Sequence, residues 1–208
     1  MLKYRRLVLG QLQTNTYLLY SDRNNDCYII DPADDATTIS DEILSLKLKP
    51  KAILLTHGHF DHVLAVSQLQ LIFNIPLYCG RQDFFLLEKI NQSASHWLKR
   101  PIKAVKISKI DYDLDQIEYL SLDNIDIHLL KTPGHTPGGY SFYIPPQKLL
   151  FSGDTLFKQG IGRTDFSYAN PTGLKKSLSK LSKLPPQTLV LPGHGQPTTI
   201  NQELKHFL

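Results

Sequence analysis

Thr56-His57-Gly58-His59-Phe60-Asp61-His62 is the densest concentration of metal-ligand side chains in the chain. Imidazole nitrogen and carboxylate oxygen both suit zinc and its first-row neighbours, and a divalent ion needs several such groups converging on one point. His57, His59, Asp61 and His62 supply four within this one stretch. Residues 52–55 before them read as a buried strand, and residues 63–69 onward continue as an amphipathic helix. The ligands therefore sit on a strand-to-helix turn. With the permissive Gly58 between them, His57 and His59 can face one centre while Asp61 and His62 face a second. Two histidines one residue apart are commonly plain surface or core residues; the added Asp-His narrows that reading.

The pattern recurs. Ile125-Asp126-Ile127-His128-Leu129-Leu130 runs into Thr132-Pro133-Gly134-His135, Leu149-Leu150-Phe151 into Ser152-Gly153-Asp154, and Thr188-Leu189-Val190-Leu191 into Pro192-Gly193-His194. Each is an apolar run, a Gly or Pro turn, then one ligand. Four strands that end alike can deliver their ligands to the same edge of a sheet system.

With these residues in view, the sequence resembles the metallo-β-lactamase superfamily, whose signature is HxHxDH followed at wider spacing by a His, an Asp and a final His. It looks most like the small glyoxalase II-like (hydroxyacylglutathione hydrolase-like) members. That closer resemblance rests on Ile30-Asp31-Pro32, Thr132-Pro133-Gly134-His135-Thr136-Pro137-Gly138, Ser152-Gly153-Asp154-Thr155-Leu156-Phe157, Gly160-Ile161-Gly162-Arg163-Thr164-Asp165-Phe166 and Pro192-Gly193-His194-Gly195. It implies a four-layer αββα sandwich with a metal cleft at one edge. Carried over, it assigns His57, His59 and His135 to a first metal, Asp61, His62 and His194 to a second, and Asp154 to a bridge between them. Asp61 would also orient a metal-bound hydroxide. Asp31 would orient a metal-bound histidine, as ligating imidazoles usually require; a plain Asp-Pro turn is the other reading. His96, His128 and His206 match no ligand position, and His128, in mid-strand, reads as a structural histidine. Two divalent ions are expected, zinc first, with iron or manganese as other possibilities.

Such a pair lowers the pKa of a shared water from ~15.7 to around neutrality and polarises the attacked carbonyl, so no Ser or Cys nucleophile is required. A thiolate, from a thiol of pKa ~8.5, departs without a dedicated acid. Hydrolysis of a thioester such as S-lactoylglutathione is thus the expected activity, with Tyr140, Lys158 and Arg163 as candidate substrate contacts; Arg163 could equally be locked to a carboxylate of its own loop. In full-length glyoxalase II a C-terminal helical domain supplies much of the glutathione site; no counterpart to it is expected here, which leaves the thiol open. The rival is a persulfide dioxygenase, similar in the same segments, with one iron on His57, His135 and Asp154. β-Lactam hydrolysis and a nucleic-acid phosphodiesterase rank lower.

The elements around the ligands follow from composition. At 208 residues the chain is long enough for one domain with a substantial core, and a single domain over 1–208 is expected. Neither a signal peptide nor a membrane span is legible, so a cytoplasmic protein is expected, with Cys27 and Cys79 as buried free thiols. The net charge of +4 is mild and its lysines are dispersed, which suits a small anionic substrate better than nucleic acid.

Strands are predicted at 2–9, 15–20 and 27–31 as an opening meander, with Asn15 as turn chemistry. A helix starts at Thr38 or Ser40 and runs to about Lys47. After the ligand turn come a strand at 75–79 and a helix near 82–90. Residues 91–115 have weak periodicity and read as an irregular segment, either a lid bringing Lys99, Arg100, Lys103 and Trp97 to the cleft or a solvated basic loop with Trp97 in the core. Strands at 117–120, 125–131, 140–144 and before Asp154 follow, then a helix capped by Asn170 with Pro171 at its first position and an apolar stripe of Leu174, Leu178 and Leu181.

Overall fold

The computed structural model describes residues 1–203. Apolar residues in its opening segments form three antiparallel strands, β1 (Leu2–Leu9), β2 (Thr14–Ser21) and β3 (Asp26–Ile30). Helices then intervene, and parallel pairing becomes possible because a crossover can return the chain in the same direction. The order is α1 (Ala36–Ser45), β4 (Lys49–Leu54), α2 (Val66–Phe73), β5 (Leu77–Cys79), α3 (Phe84–Glu88), α4 (Ile90–Leu98) and β6 (Tyr112–Asp113). These strands extend the first sheet to β1-β2-β3-β4-β5-β6, parallel from β3 onward.

The second half contains β7 (Tyr119–Leu122), β8 (Ile125–Lys131), β9 (Tyr140–Ile144), β10 (Leu149–Gly153), the hairpin β11 (Leu156–Phe157) and β12 (Gly160–Ile161), α5 (Pro171–Leu181), β13 (Leu189–Pro192), β14 (Thr198–Thr199) and α6 (Ile200–Glu203). Its sheet runs β14-β13-β10-β9-β8-β7.

Strand alternation sends successive side chains to opposite faces, and three buried clusters result. Leu18, Ile29, Ile53 and Leu77 meet α1, α2 and α4 through Ile39, Ile43, Leu69 and Ala94. Tyr17, Leu19, Ile30 and Leu54 on the opposite face meet Ile127, Phe142 and Phe151 of the second sheet. The outer face of that sheet, Tyr143, Leu150 and Val190, packs on Leu174, Leu178 and Leu181 of α5. Helices, sheet, sheet and helix give the four-layer αββα sandwich that the family resemblance implies. Cys27 and Cys79 are buried free thiols, and burial pushes both above the usual thiol range. Among the described residues no helix is long and apolar enough to cross a membrane.

Some boundaries differ from expectation. α1 begins at Ala36 because Asp35, in the left-handed region at φ 51, accepts from the Thr38 amide as its N-cap. Ser40 folds back instead, its Oγ donating to the Ala36 carbonyl at 2.7 Å. The segment 91–115 is not irregular throughout. Ile90, Ala94 and Leu98 are buried along one face of α4, a stripe diluted in the sequence by Asn, Gln and Ser. Asn91 then clamps Ala104, donating to its carbonyl at 3.0 Å and accepting from its amide at 2.7 Å. Trp97 is 46% exposed, so it is not tucked into the core.

Candidate metal centre

β4 ends at Leu54, and the chain turns at Thr56-His57-Gly58-His59 before a single helical turn, Phe60–His62. The loop after β8 brings His135, the end of β10 brings Asp154, and the end of β13 brings His194. All seven residues meet at one edge of the two sheets. One group comprises His57, His59, His135 and Asp154, a second Asp61, His62 and His194, and the donor atoms of each group lie within 4.8 Å of one another.

The outward partners of the imidazoles set which nitrogens face inward. Nδ1–H of His135 donates to the Arg163 carbonyl at 2.8 Å, that of His194 to the Leu12 carbonyl at 3.2 Å, and that of His62 to Asp31 Oδ2 at 3.0 Å. Thr56 Oγ1 donates to Asp31 Oδ2 at 2.6 Å and so accepts from Nδ1 of His57 at 3.1 Å. When neutral, each of these four rings therefore turns an Nε2 lone pair toward the centre. Such lone pairs repel, yet His62 Nε2 and His194 Nε2 stand 3.3 Å apart. His59 completes the set, with Nδ1 at 3.1 Å from His57 Nε2 and 2.9 Å from His135 Nε2 and its other nitrogen at 2.8 Å from the Tyr168 hydroxyl.

Asp154 sits between the groups, its carboxylate oxygens 3.4 to 3.9 Å from nitrogens of His62, His135, His194 and His57. Its buried Oδ1 has no hydrogen-bond partner. Gly193 makes room for this carboxylate: a Cβ there would stand 2.2 Å from Asp154 Oδ1 and 2.7 Å from His62 Cε1.

Buried carboxylates and imidazoles here answer one another's charge, so that protons compete with a divalent cation for the same nitrogens. Burial holds His57 well below the usual imidazole value and takes His59 down to about 3. Burial also opposes charge on His62, but Asp154 and Asp61 overcome it and raise that ring. For Asp154, too, burial disfavours charge, and His62 and its neighbouring imidazoles override it to hold the carboxyl well below the usual range. Inward lone pairs, an orphaned buried carboxylate oxygen and a second carboxylate make a donor set suited to divalent cations. Asp31 belongs to its support: its Oδ1 accepts from the Thr56 amide at 2.7 Å, and its Oδ2 from Thr56 Oγ1 and His62.

Seven positions fall as the sequence suggests, and others do not. Arg163 lines the cleft of about 340 Å³ over the donors, alongside Trp97, Phe157, Phe166 and Tyr168. Its guanidinium also pairs with Asp165 at 2.7 Å and lies 4.8 Å over the Phe166 ring, so the tie to a carboxylate of its own loop is seen, at a position on the cleft wall. Tyr140 is buried and donates its hydroxyl to Asp115; neither it nor the exposed Lys158 lines the cleft. His96 and His128 are exposed and stand outside both donor groups. For His128 this corrects the expectation of a structural histidine. His206 lies outside the described residues.

Sequence reasoning missed Asp83. Its buried carboxylate accepts from the Gly58 amide at 2.9 Å, from Thr136 Oγ1 at 2.7 Å and from the Gly138 amide at 2.6 Å, tying the turn of His57 and His59 to the turn of His135. A signal was present: Leu77-Tyr78-Cys79-Gly80 followed closely by an acid repeats the apolar run and glycine turn that mark the ligands. Thr14, which donates to Asp61 Oδ2 at 3.0 Å, carried no such signal.

This geometry has close counterparts. The family model described as the metallo-beta-lactamase superfamily matches residues 9–194. The chain belongs to that superfamily. Among its relatives, the probable metallo-hydrolase YqgX of Bacillus subtilis is 38% identical over 97% of this chain and 94% of its own length. The hydroxyacylglutathione hydrolase GloC of Haemophilus influenzae is 37% identical over 92% and 90%. Such relatives place the chain with the metallo-hydrolases of the superfamily. Of solved structures, the BLEG-1 B3 metallo-beta-lactamase matches with a TM-score of 0.89 and 39% identity over 98% of this chain and 97% of that one. TTHA1623, crystallised in a di-iron-bound form, matches with 0.85 and 36% over 95% and 96%.

Proposed function

We propose that the chain is a metal-dependent hydrolase that cleaves a thioester of a small anionic thiol, with S-lactoylglutathione as the model substrate. One observation carries the reading: seven inward donors from four chain segments form two groups that share Asp154. In it, His57, His59 and His135 would hold one divalent ion and Asp61, His62 and His194 a second, with Asp154 within reach of both groups. Zinc is the expected loading, with iron or manganese as the alternatives; the di-iron form of TTHA1623 keeps iron in view. Two such ions lower the pKa of a water from ~15.7 toward neutrality and polarise the acyl carbonyl.

The chain's own residues do the rest. Asp61 lies on the cleft wall with Oδ2 held by Thr14 at 3.0 Å, and its carboxylate accepts a hydrogen bond from the attacking water, aiming the lone pair at the carbonyl. Asp31 and Thr56 fix the tautomers of His62 and His57, as ligating imidazoles require. Leu12, Phe60, Phe157 and Phe166 wall the cleft and limit water around the reacting bond, which strengthens each electrostatic contact there. The leaving thiolate, with a conjugate pKa of ~8.5, departs without a proton donor.

Support for the thioester comes from the likeness to a hydroxyacylglutathione hydrolase; the likeness to a B3 metallo-beta-lactamase favours a β-lactam as the second reading. A single iron on His57, His135 and Asp154, as in the dioxygenase reading, leaves Asp61, His62 and His194 without a task. The test is metal-loaded protein assayed in parallel for S-lactoylglutathione hydrolysis, β-lactam hydrolysis and persulfide-dependent oxygen uptake. Thioester kcat/KM at least a hundredfold above the β-lactam value is expected. A dominant β-lactam rate, or oxygen uptake with one iron per chain, overturns the proposal.

A further inference from the structure

A second recess, of about 500 Å³, adjoins the reaction cleft. The two share His59, Phe60, Ser93, Trp97 and Tyr168 on their walls, so they adjoin along the imidazole of His59. Phe85 and Leu86 add apolar surface, and Lys89, Gln92 and His96 line it with polar heads. Positions three and four apart share a helix face, and α4 accordingly presents Gln92 and His96 together, with Lys89 one turn earlier. None of the three side chains has a hydrogen-bond or ion-pair partner among the described residues. Lys99, Arg100 and Lys103, the cations that the sequence offers for this task, line neither recess.

A thioester with its carbonyl at the inward donors must send its acyl and thiol portions in different directions. A tail carrying carboxylates needs a polar recess beside the cleft with a cation on its wall, and the α4 recess supplies Lys89 among Gln92, Ser93 and His96. We propose that this recess is the binding site for the anionic thiol portion of the substrate, with Lys89 and His96 facing its carboxylate and Gln92 its amide groups. The proposal rests on the thioester reading and deepens it. Remote contacts of this kind hold the reacting bond in place and raise kcat/KM without touching the chemistry.

Trp97 is the chain's single tryptophan and stands on the wall shared by both recesses, so its fluorescence reports occupancy without turnover. Metal-loaded protein is titrated with S-methylglutathione, which cannot be hydrolysed as a thioester, and with the neutral S-methyl-N-acetylcysteamine. Saturable quenching by the first and about tenfold weaker binding of it by Lys89→Ala are expected, the loss typical of one charge-assisted hydrogen bond. The Lys99→Ala/Arg100→Ala/Lys103→Ala triple variant keeps wild-type affinity. In turnover, Lys89→Ala and His96→Ala raise KM for S-lactoylglutathione more than they lower kcat, and shrink the preference for it over an N-acetylcysteamine thioester. Equal affinity for the two S-methyl probes, or Lys89→Ala binding like wild type while the triple variant weakens, overturns the site. Tight, Lys89-dependent binding without thioester hydrolysis keeps the site and refutes the reaction.

Discussion

Asp83→Ala tests whether the two halves of the metal centre are held together by a carboxylate that binds no metal itself. The side chain is buried and receives the Gly58 amide, the Gly138 amide and the Thr136 hydroxyl. Removing it orphans two buried amides at a cost of ~1–3 kcal/mol each; the Thr136 hydroxyl can rotate to another partner. Against this stands relief of a desolvated charge: burial raises the Asp83 carboxyl above its ordinary value despite its three donors. The balance is a loss of about 2–4 kcal/mol, or roughly 5–15 °C in Tm at ~2–4 °C per kcal/mol for a chain of this size. Thermal and urea unfolding of metal-loaded protein measure it, and metal retained after a timed chelator challenge reads the positioning separately. Asp83→Asn, which keeps one acceptor oxygen, falls between the two. Unfolding within ~2 °C of the parent with unchanged chelator resistance would refute the brace.

Four other outcomes are expected. Asp154→Asn lowers metal content by one equivalent or more by elemental analysis while far-UV circular dichroism stays unchanged, because a neutral amide cannot serve four imidazoles as the shared anion; His128→Ala, exposed on β8, leaves metal content at the wild-type value. Exhaustive chelation lowers Tm, and metal at a hundred times its Kd restores ~2.7 kcal/mol, about 5–10 °C; a Tm indifferent to chelator contradicts the donor assignment. Asp35→Ala costs ~1 kcal/mol at pH 7 as a lost N-cap. Hydrogen bonds from Thr38 lower the folded pKa of Asp35, so its contribution is present above the unfolded value of ~3.9 and is lost as pH falls through the folded one; a parent–variant difference that persists unchanged to pH 2 contradicts the cap.

The ligands are legible in the sequence because each ends an apolar run, and the strand that buries the run also aims the residue after it. The same local logic gives the opening meander and α5, whose Asn170 cap accepts from the Gly173 amide at 2.9 Å. What stays hidden depends on contacts between distant segments. β6 is two residues long and exists by pairing with β5. The recess beside Lys89 exists because α4 folds against the donor turn, and nothing in the periodicity of residues 91–115 signals that approach. Tyr140 illustrates the reverse: it is a candidate substrate contact in the sequence, but its hydroxyl is engaged by Asp115, in the turn just after β6.

The cross-connections explain how a site assembled from two sheets keeps its shape. His135 and His194 arrive from the second half, and both turns are fastened to the first half by groups other than the donors. The Asn15 amide donates to the Gly193 carbonyl at 2.7 Å, Asn15 Nδ2 to the Pro192 and Gly195 carbonyls at 2.8 and 2.9 Å, and the Tyr17 hydroxyl to Pro192 at 2.8 Å. Asp83 performs the equivalent service for the turn at His135, and the Tyr140 amide donates to the Thr56 carbonyl at 2.7 Å beside it. Like charges and lone pairs drive the donor turns apart when no cation lies between them. The neutral hydrogen bonds of Asn15, Tyr17 and the Tyr140 amide resist that force at every pH where the imidazoles and carboxylates change charge, and together with Asp83 they help set the spacing that a metal pair meets.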